Sequence, residues 1–275
     1  MAPMRGPAGA DADGNGETDS ETGGDAGTGS DGGADADGNG DSGAAVGAGP
    51  VLGLVLAAGG GRRLGGRPKA LLDHGGRPLV ERAVRALRAG GCAPAVYVVL
   101  GAAAEQVRAR ADLTGCVLVD NPDWPTGLAS SLRAGLAAAD AASGPDRRFE
   151  TKPEAESRPL PGPQVEWTSV AGASAVLVLL VDQPGVGAAA VARVIAAHRA
   201  GAGLVCAEYA GRRGHPVLLA REHGARVAAS AHGDRGARDF LRSRAAEVTC
   251  VECADVASDA DVDTPADLRL LAPDD

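Results

Sequence analysis

Short apolar runs alternate with amphipathic stretches from residue 51 almost to the end of the chain. The runs are rich in Val and Leu and are followed by loop-forming or helical sequence, which is typical of buried strands in a parallel sheet. The predicted strands are Val51–Ala57, Ala95–Leu100, Cys116–Val119, Ala175–Val181, Leu204–Cys206 and Pro216–Ala220.

The stretches between these runs carry apolar residues at helical spacing. Leu79, Val80, Val84 and Leu87 form one such stripe before the Gly90-Gly91 pair, which predicts a helix that ends there. Further helices are predicted from Gly127 to Ala142, after Pro184, over Arg235–Arg244 and over Pro265–Leu271. Alternating strands and helices predict an α/β fold with a doubly wound, mostly parallel sheet in a single domain.

Two segments interrupt this pattern. Residues 1–49 alternate Asp, Glu, Gly, Ala, Ser and Thr with few branched apolar side chains, so they predict a disordered acidic tail. Residues from about 143 to 172 are rich in Pro, Glu, Arg and Ser and predict a low-complexity insertion. The predicted domain therefore spans residues 50–275 and contains this insertion.

Composition limits the classes of function. Hydrophobic residues make up 44% of the chain, enough for a core, and the net charge of −9 argues against nucleic acid as a partner. Without a signal-like or membrane-spanning run, we expect a cytoplasmic protein with no membrane partner. Cys250 and Cys253 could form half a zinc site or a redox pair, but no second cysteine or histidine pair completes the pattern, which favours reduced thiols.

A glycine-rich basic loop follows the first predicted strand. Gly59, Gly60 and Gly61 would let backbone amides approach an anion, and Arg63 and Lys69 would neutralise a triphosphate and its departing pyrophosphate. Neither the spacing of a Walker loop nor that of a dinucleotide fingerprint is present. Taken alone, the loop is equally consistent with an ordinary turn that carries solvated arginines.

Polar groups also follow later strands. Asp182 ends the Ala175–Val181 run, where an open α/β sheet places its ligand crevice, and is the strongest candidate for a magnesium ligand. Its partner would come from Asp259, Asp261 or Asp263. Each feature could also have a purely structural role. Asp is common before a turn that contains Pro, and a pair of Ser residues before a helix commonly caps the helix.

Four motifs in chain order carry a family resemblance. They are the run LAAGGGRRLGGRPKALL at residues 56–72, the segment NPDWPTGLASSL at 121–132, DVDTPADL at 261–268, and the pair GHP at 214–216 and GDRGAR at 233–238. Together they resemble the molybdenum cofactor cytidylyltransferases of the MobA-like NTP transferase family. Gly61 departs from the family pattern, which often has Ser or Thr there, and the loop before Lys69 is one residue longer than its shortest form.

The resemblance implies a Rossmann-like nucleotide-diphospho-sugar transferase fold and assigns site residues. Arg63, Lys69 and Asp182 would be catalytic, and Asp182 and Asp261 would bind Mg²⁺, with Mn²⁺ as the alternative. The nucleotide site would comprise Leu56, Ala57, Ala58, Gly59, Gly60, Gly61, Arg63, Lys69, Asn121, Gly127, Ser130 and Ser131. The acceptor site would comprise Gly214, His215, Pro216, Gly233, Asp234, Gly236 and Arg238.

The same resemblance implies transfer of CMP from CTP to the phosphate of molybdopterin cofactor, with release of pyrophosphate. Ala58 favours CTP over GTP, because the LAAG form of the first motif resembles that of CTP users. A molybdenum hydroxylase apoprotein would be a further partner. Two alternatives remain: transfer to another phosphorylated metabolite, and a cofactor-binding chaperone without turnover, against which Lys69 and Asp182 argue.

Overall fold

A seven-stranded sheet forms the centre of the protein in the computed structural model, which describes residues 49–142 and 172–272. The predicted tail and insertion lie outside the described residues except at Gly49 and Gly172. In chain order the strands are β1 (Val51–Leu56), β2 (Val96–Leu100), β3 (Cys116–Asp120), β4 (Ala175–Leu180), β5 (Leu204–Tyr209), β6 (Arg212–Ala220) and β7 (Val248–Glu252).

Six α-helices connect or flank these strands. They are α1 (Leu79–Ala89), α2 (Ala104–Arg110), α3 (Leu128–Ala142), α4 (Ala188–Arg199), α5 (Arg221–Ser230) and α6 (Arg238–Ser243). Short 3₁₀ helices occur at Arg62–Leu64, Lys69–Leu71, Trp124–Thr126, Gly233–Arg235 and Pro265–Leu271. Within the described part of the chain, no helix is both long and apolar enough to cross a membrane.

The strand order is β3-β2-β1-β4-β6-β5-β7. Strand β1 pairs in parallel with β2 and β4, β2 pairs in parallel with β3, and β7 pairs in parallel with β5. Only β6 among these strands runs antiparallel to its neighbours, β4 and β5. The predicted mostly parallel, doubly wound α/β sheet is therefore confirmed.

Helices cover both faces of the sheet, and the side chains of each strand alternate between these two faces. Val51 and Val55 point into a core formed with α1 and α4, whereas Leu52, Leu54 and Leu56 point into a second core formed with α3, α5 and α6. This two-sided burial explains why β1 is apolar at every position except Gly53, whose Cα lies against Leu87 of α1.

Three sequence predictions need correction. The predicted helix over Arg235–Arg244 begins only at Arg238, because Gly236 has a φ of 53° that ends the preceding 3₁₀ turn. The predicted helix over Pro265–Leu271 is a 3₁₀ helix. Strands β5 and β6 extend beyond the predicted runs and form an antiparallel hairpin, with a register shift between Cys206 and Ala207.

Candidate active site

The loops after β1 and β4 meet at the point where the winding of the sheet reverses. Strand β1 lies between β2 and β4, so the chain leaves β1 toward one side of the sheet and returns to the other side at β4. Loops that diverge in this way leave a crevice at the carboxyl ends of the strands. The loop that ends at Lys69 follows β1 and Asp182 follows β4, and their side chains are in contact.

The conformation of the loop after β1 depends on Gly61. This residue has a φ of 60°, and a Cβ at its position would lie 1.9 Å from the carbonyl oxygen of Arg67. Its own carbonyl accepts hydrogen bonds from the amides of Leu64 at 2.8 Å and Gly66 at 3.0 Å. A serine does not fit this conformation, which explains the departure from the family pattern at Gly61.

Lys69 is held between two carboxylates. Its Nζ donates to Oδ2 of Asp182 at 2.6 Å and also to Oδ1 of Asp263. The side chain of Lys69 is 13% exposed, and this burial lowers its pKa, but the two carboxylates outweigh burial and leave the pKa above its ordinary value. Lys69 is therefore a fixed positive charge, and Arg63 contacts Asp263 from the solvent side at 3.5 Å.

Asp263 is positioned by the turn that follows it. The carboxylate of Asp267 accepts hydrogen bonds from the amide of Asp263 at 3.3 Å and from the amide and hydroxyl of Thr264 at 2.8 and 2.7 Å. The segment before it is fixed by the amide of Val262, which donates to the carbonyl of Asp182 at 2.9 Å. Asp261 and Asp263 lie in irregular backbone.

Asp261 adds negative charge beside this cluster. Desolvation of its carboxyl raises its pKa, repulsion from Asp182 and Asp263 adds to the shift, and Gln183 and Lys69 oppose it. Across residues 49–142 and 172–272, no group of three or more His, Cys, Asp or Glu side chains is placed to hold a metal ion. A metal at Asp182 and Asp261 would therefore complete its coordination with water or substrate oxygens.

The predicted nucleotide contacts at Asn121, Ser130 and Ser131 are buried and bonded to one another. The side-chain amide of Asn121 donates to the hydroxyls of Ser130 at 2.9 Å and Ser131 at 3.0 Å. Ser130 donates in turn to the carbonyl of Gly127 at 2.8 Å, and the side-chain oxygen of Asn121 accepts from the amide of Asp123. These groups therefore fix the turn between β3 and α3.

The space beside Gly127 is occupied by another part of the protein. A Cβ on Gly127 would lie 2.6 Å from Gly233 and from Oδ1 of Asp234, and the same carboxylate accepts from the amide of Leu128 at 3.3 Å. Gly127 thus permits close approach of the 233–234 turn. The structure joins a predicted nucleotide motif directly to a predicted acceptor motif.

The remaining predicted acceptor residues lie near the same edge, because β6 is antiparallel and begins where β4 ends. Pro216 is buried, and His215 is half-buried on a cis peptide bond to Pro216. Burial, reinforced by the positive charge of Arg238, lowers the pKa of His215 to about 4. The imidazole of His215 is therefore neutral near pH 7 and keeps one N–H donor, whereas the side chain of Arg238 is exposed.

Gly214 and Gly236 are closely approached by protein side chains. A Cβ on Gly214 would lie 3.0 Å from the ring of Tyr209, and one on Gly236 would lie 3.3 Å from Leu128. These two glycines make room for packing within the protein.

Leu56, Ala57 and Ala58 are buried at the start of the crevice. A Cβ added to Gly101 would lie 2.8 Å from the methyl of Ala58 and 2.8 Å from Trp124, so this methyl lies against the loop that follows β2. Gly59 is exposed, and Gly60 lies under the Trp124 ring.

Sequence reasoning did not assign roles to Trp124, Arg62 or Gln183. The guanidinium of Arg62 lies 5.8 Å from the centre of the Trp124 ring, which joins the glycine-rich loop to the turn after β3. Gln183 is 8% exposed and donates to the carbonyl of Asp259 at 3.3 Å. Two features of the sequence could have drawn attention to them: Trp124 is an aromatic residue within the motif at 121–132, and Gln183 is the neighbour of Asp182 in the chain.

All five cysteines are free thiols. Cys206 and Cys250 are register partners on β5 and β7, whereas Cys253 is fully buried. Burial raises the pKa of Cys92 and of Cys206 to about 12, so neither is a reactive thiolate near neutral pH.

The arrangement of a glycine-rich loop, a fixed lysine and adjacent carboxylates agrees with comparisons to known proteins. Residues 53–248 match the model of the MobA-like NTP transferase domain. The chain belongs to the MobA-like NTP transferase family. This is a nucleotidyltransferase family, and the match runs from Gly53 within β1 to Val248 at the start of β7, so it includes Lys69 and Asp182 but stops before Asp261.

Individual relatives cover most of the chain. Nicotine blue oxidoreductase from Paenarthrobacter nicotinovorans is 39% identical over 229 residues, which are 80% of this chain and 96% of the relative. The crystal structure of a Mycobacterium tuberculosis Rv0371c homologue from Mycobacterium sp. strain JC1 is 33% identical, with a TM-score of 0.58 over 80% of this chain and 94% of that one. Rv0371c itself, in complex with manganese, is 27% identical, with a TM-score of 0.55 over 81% and 97%.

Proposed function

We propose that this member of the MobA-like NTP transferase family transfers CMP from CTP to the terminal phosphate of molybdopterin cofactor and releases pyrophosphate. The observation that carries the proposal is the position of Lys69. It is fixed by Asp182 and Asp263 at the carboxyl ends of β1 and β4, beside a glycine-rich loop. A fixed positive charge at this edge of the sheet supports a role for Lys69 in neutralising the phosphates of a nucleotide.

The reaction needs alignment more than acid–base chemistry. An oxygen of the acceptor phosphate attacks the α-phosphorus, a new P–O bond forms, and the bond to the β-phosphate oxygen breaks to release pyrophosphate. A phosphate nucleophile is already ionised near neutral pH, so no general base is required. Lys69 and the exposed Arg63 would offset the repulsion between the two anions and stabilise the charge on the departing pyrophosphate.

Carboxylates beside Lys69 fit a divalent cation. Asp182 and Asp261 repel each other strongly enough to contribute to the raised pKa of Asp261, and Lys69 offsets only part of this charge. Asp182 and Asp261 would hold Mg²⁺, or Mn²⁺ as in the Rv0371c complex, with Asp259 or Asp263 as the alternative second ligand. When bound, the cation would neutralise phosphate oxygens and help to orient them.

The choice of CTP rests on the resemblance of the Ala58 motif to that of CTP users. Ala58 is buried against Gly101, and a Cβ on Gly101 would also clash with Trp124. Ala58 would therefore act on the base through the packing of the loop after β2 and not by direct contact. The choice of molybdopterin cofactor rests on the motifs around His215 and Gly233, which lie near the same edge of the sheet.

One relative favours a second candidate function. The 39% identical protein is named nicotine blue oxidoreductase, and this chain covers 96% of it. A redox activity toward a conjugated heteroaromatic compound is therefore the alternative from another class. It would make no use of the contact between Lys69 and Asp182.

A parallel assay separates these functions. Purified protein with Mg²⁺ is incubated with each of the four ribonucleoside triphosphates, with and without molybdopterin cofactor, and pyrophosphate and nucleotidylated product are measured. Cofactor-dependent turnover with CTP is the expected result. Turnover only with other phosphorylated compounds would show that one of these, and not molybdopterin cofactor, is the acceptor. Cofactor binding without turnover would indicate a chaperone. Oxidation of a nicotinamide reductant in the presence of nicotine blue would favour the redox alternative.

The role of Asp182 provides a mutational test. Asp182→Asn removes one negative charge while nearly preserving side-chain volume, so folding is expected to persist and turnover to fall by about 100-fold or more. Asp140→Asn on α3 is the matched control, because Asp140 is exposed and contacts only Arg221 at 3.5 Å among the ion pairs described. Turnover equal to wild type in Asp182→Asn would refute the role.

A further inference from the structure

A cavity of about 330 Å³ lies between α1 and the turn that follows Asp182. Its walls include the ends of β4, the turn from Gln183 to Gly187, and one side of α1. Neither Lys69 nor Asp182 lines it. The cavity is therefore separate from the crevice in which the nucleotide would bind, although Gln183 is adjacent to Asp182 in the chain.

The charged side chains that line this cavity are basic. Arg77, Arg82 and Arg85 contribute to the walls, and no Asp or Glu is among the described residues that do so. The nearby Glu81 lies 4.0 Å from Arg77 and also accepts a hydrogen bond from the amide of Asp112. The described lining therefore carries three guanidinium groups and no carboxylate, and this positive charge favours an anion.

Arg82 has a donor available for such an anion. Its Nη2 donates to the carbonyl of Pro184 at 3.3 Å, whereas its buried Nε has no hydrogen-bond partner within the described ranges. A buried donor without a partner costs free energy of about 1–3 kcal/mol. An oxyanion in the cavity would accept this hydrogen bond once the Arg82 side chain turns its Nε toward it, and would be held beside the exposed Arg77 and Arg85.

Among the described residues, Oε1 of Gln183 lacks a hydrogen-bond donor, whereas Nε of Arg82 lacks an acceptor. Its side chain is 8% exposed, its amide nitrogen donates to the carbonyl of Asp259 at 3.3 Å, and its Oε1 accepts no hydrogen bond from the described residues. A ligand that satisfies both Arg82 and Gln183 must therefore accept hydrogen bonds as an anion and donate one from a hydroxyl.

We propose that this cavity is a binding site for inorganic hydrogen phosphate, distinct from the nucleotide site. The ionised oxygens accept from Arg82 and face Arg77 and Arg85, while the remaining P–OH donates to Oε1 of Gln183. Sulfate has a similar size and charge but carries no proton at neutral pH. A phosphate monoester dianion at pH 8 also lacks the P–OH group, because its second pKa is about 6.

The side-chain amide signal of Gln183 offers a local measurement. The chain contains three glutamines, Gln106, Gln164 and Gln183, so ¹⁵N-glutamine labelling gives few signals, and Gln183→Met identifies the relevant one. Full-length protein without nucleotide is titrated at pH 8 with phosphate, sulfate or methyl phosphate. We expect a saturable shift with phosphate, and binding at least about 10-fold weaker with the other two ions, since each leaves Oε1 unpaired.

Two variants locate the bound ion. Arg82→Gln should abolish the phosphate-dependent shift, whereas Arg110→Gln, which removes an exposed charge at the end of α2, should leave it unchanged. The proposal is overturned if phosphate causes no saturable shift, as expected for a cavity filled by water. It is also overturned if sulfate binds equally well, or if the shift persists in Arg82→Gln because phosphate occupies the crevice. None of these results depends on turnover of a nucleotide.

Discussion

The glycine-rich loop at 57–69 and the turn at 121–131 use their polar groups in opposite ways. In the loop, Lys69 is fixed next to carboxylates and Gly59 leaves its surroundings open. In the turn, Asn121 binds the hydroxyls of Ser130 and Ser131 within the protein. Both segments resemble nucleotide-binding motifs, yet only the loop places a charged side chain at the crevice. Family motifs therefore include residues that build the site as well as residues that face its ligand.

The largest effect should come from removing the charge of the loop. Lys69→Met leaves Asp182 and Asp263 without their shared cation and removes the charge proposed to face the phosphates. Pyrophosphate release at saturating nucleotide should fall about 10²- to 10³-fold, or about 3–4 kcal/mol. Arg110→Met, which removes an exposed charge at the end of α2, should retain activity. Equal losses in both variants would show that Lys69 has no special role.

Asn121→Ala should affect folding more than binding. It removes two buried hydrogen bonds and leaves the hydroxyls of Ser130 and Ser131 without their donor, at a cost of about 2–3 kcal/mol in the free energy of unfolding. Urea denaturation measures this change, and Thr126→Ala, which removes an exposed hydrogen bond in the same turn, should cost less than about 1 kcal/mol. If stability is unchanged and nucleotide binding is weaker, Asn121 contributes to the binding of the nucleotide and not to folding.

Two glycines of the loop should respond differently to the same substitution. Gly61→Ser introduces a Cβ 1.9 Å from the carbonyl of Arg67 at a positive φ, which costs about 1–3 kcal/mol or forces the loop to rearrange. Gly59→Ser meets no atom within 4 Å. Nucleotide affinity, measured by calorimetry, should fall about 10-fold in Gly61→Ser and change little in Gly59→Ser. The opposite ranking would mean that Gly59 contacts the ligand directly.

Much of the fold follows from sequence because the central strands are buried on both faces. The apolar runs of β1, β2 and β4 can be recognised without knowledge of their partners. Helices α2 and α5 lack so clear a signal, since α2 has seven residues and α5 contains Gly224 and alternating charges. Strand β7 at the edge is only partly buried, so its apolar pattern is weak.

The candidate site follows from sequence only in part. Lys69 and Asp182 meet because the chain order of their strands and the switch in winding bring the two loops together. The contact of Lys69 with Asp263 depends on irregular backbone after β7. This segment has no repeating pattern of apolar and polar residues from which the inward-facing carboxylate could be predicted. The internal hydrogen bonds of Asn121 depend on the packing of the turn, which spacing alone does not specify.

His215 extends the comparison to the acceptor side and, at neutral pH, has the smallest expected effect. Its pKa is lowered from 6.5 to about 4 by burial and by Arg238, so between these values the unfolded chain binds more protons than the folded protein. Stability should therefore fall as pH decreases from about 6.5 toward 4, with no effect of His215 above pH 7. Urea denaturation across this range should show a shallower pH dependence in His215→Gln than in His232→Gln, which replaces an exposed histidine. An unchanged slope would show that folding does not lower the pKa of His215 and that its environment differs from the buried one described.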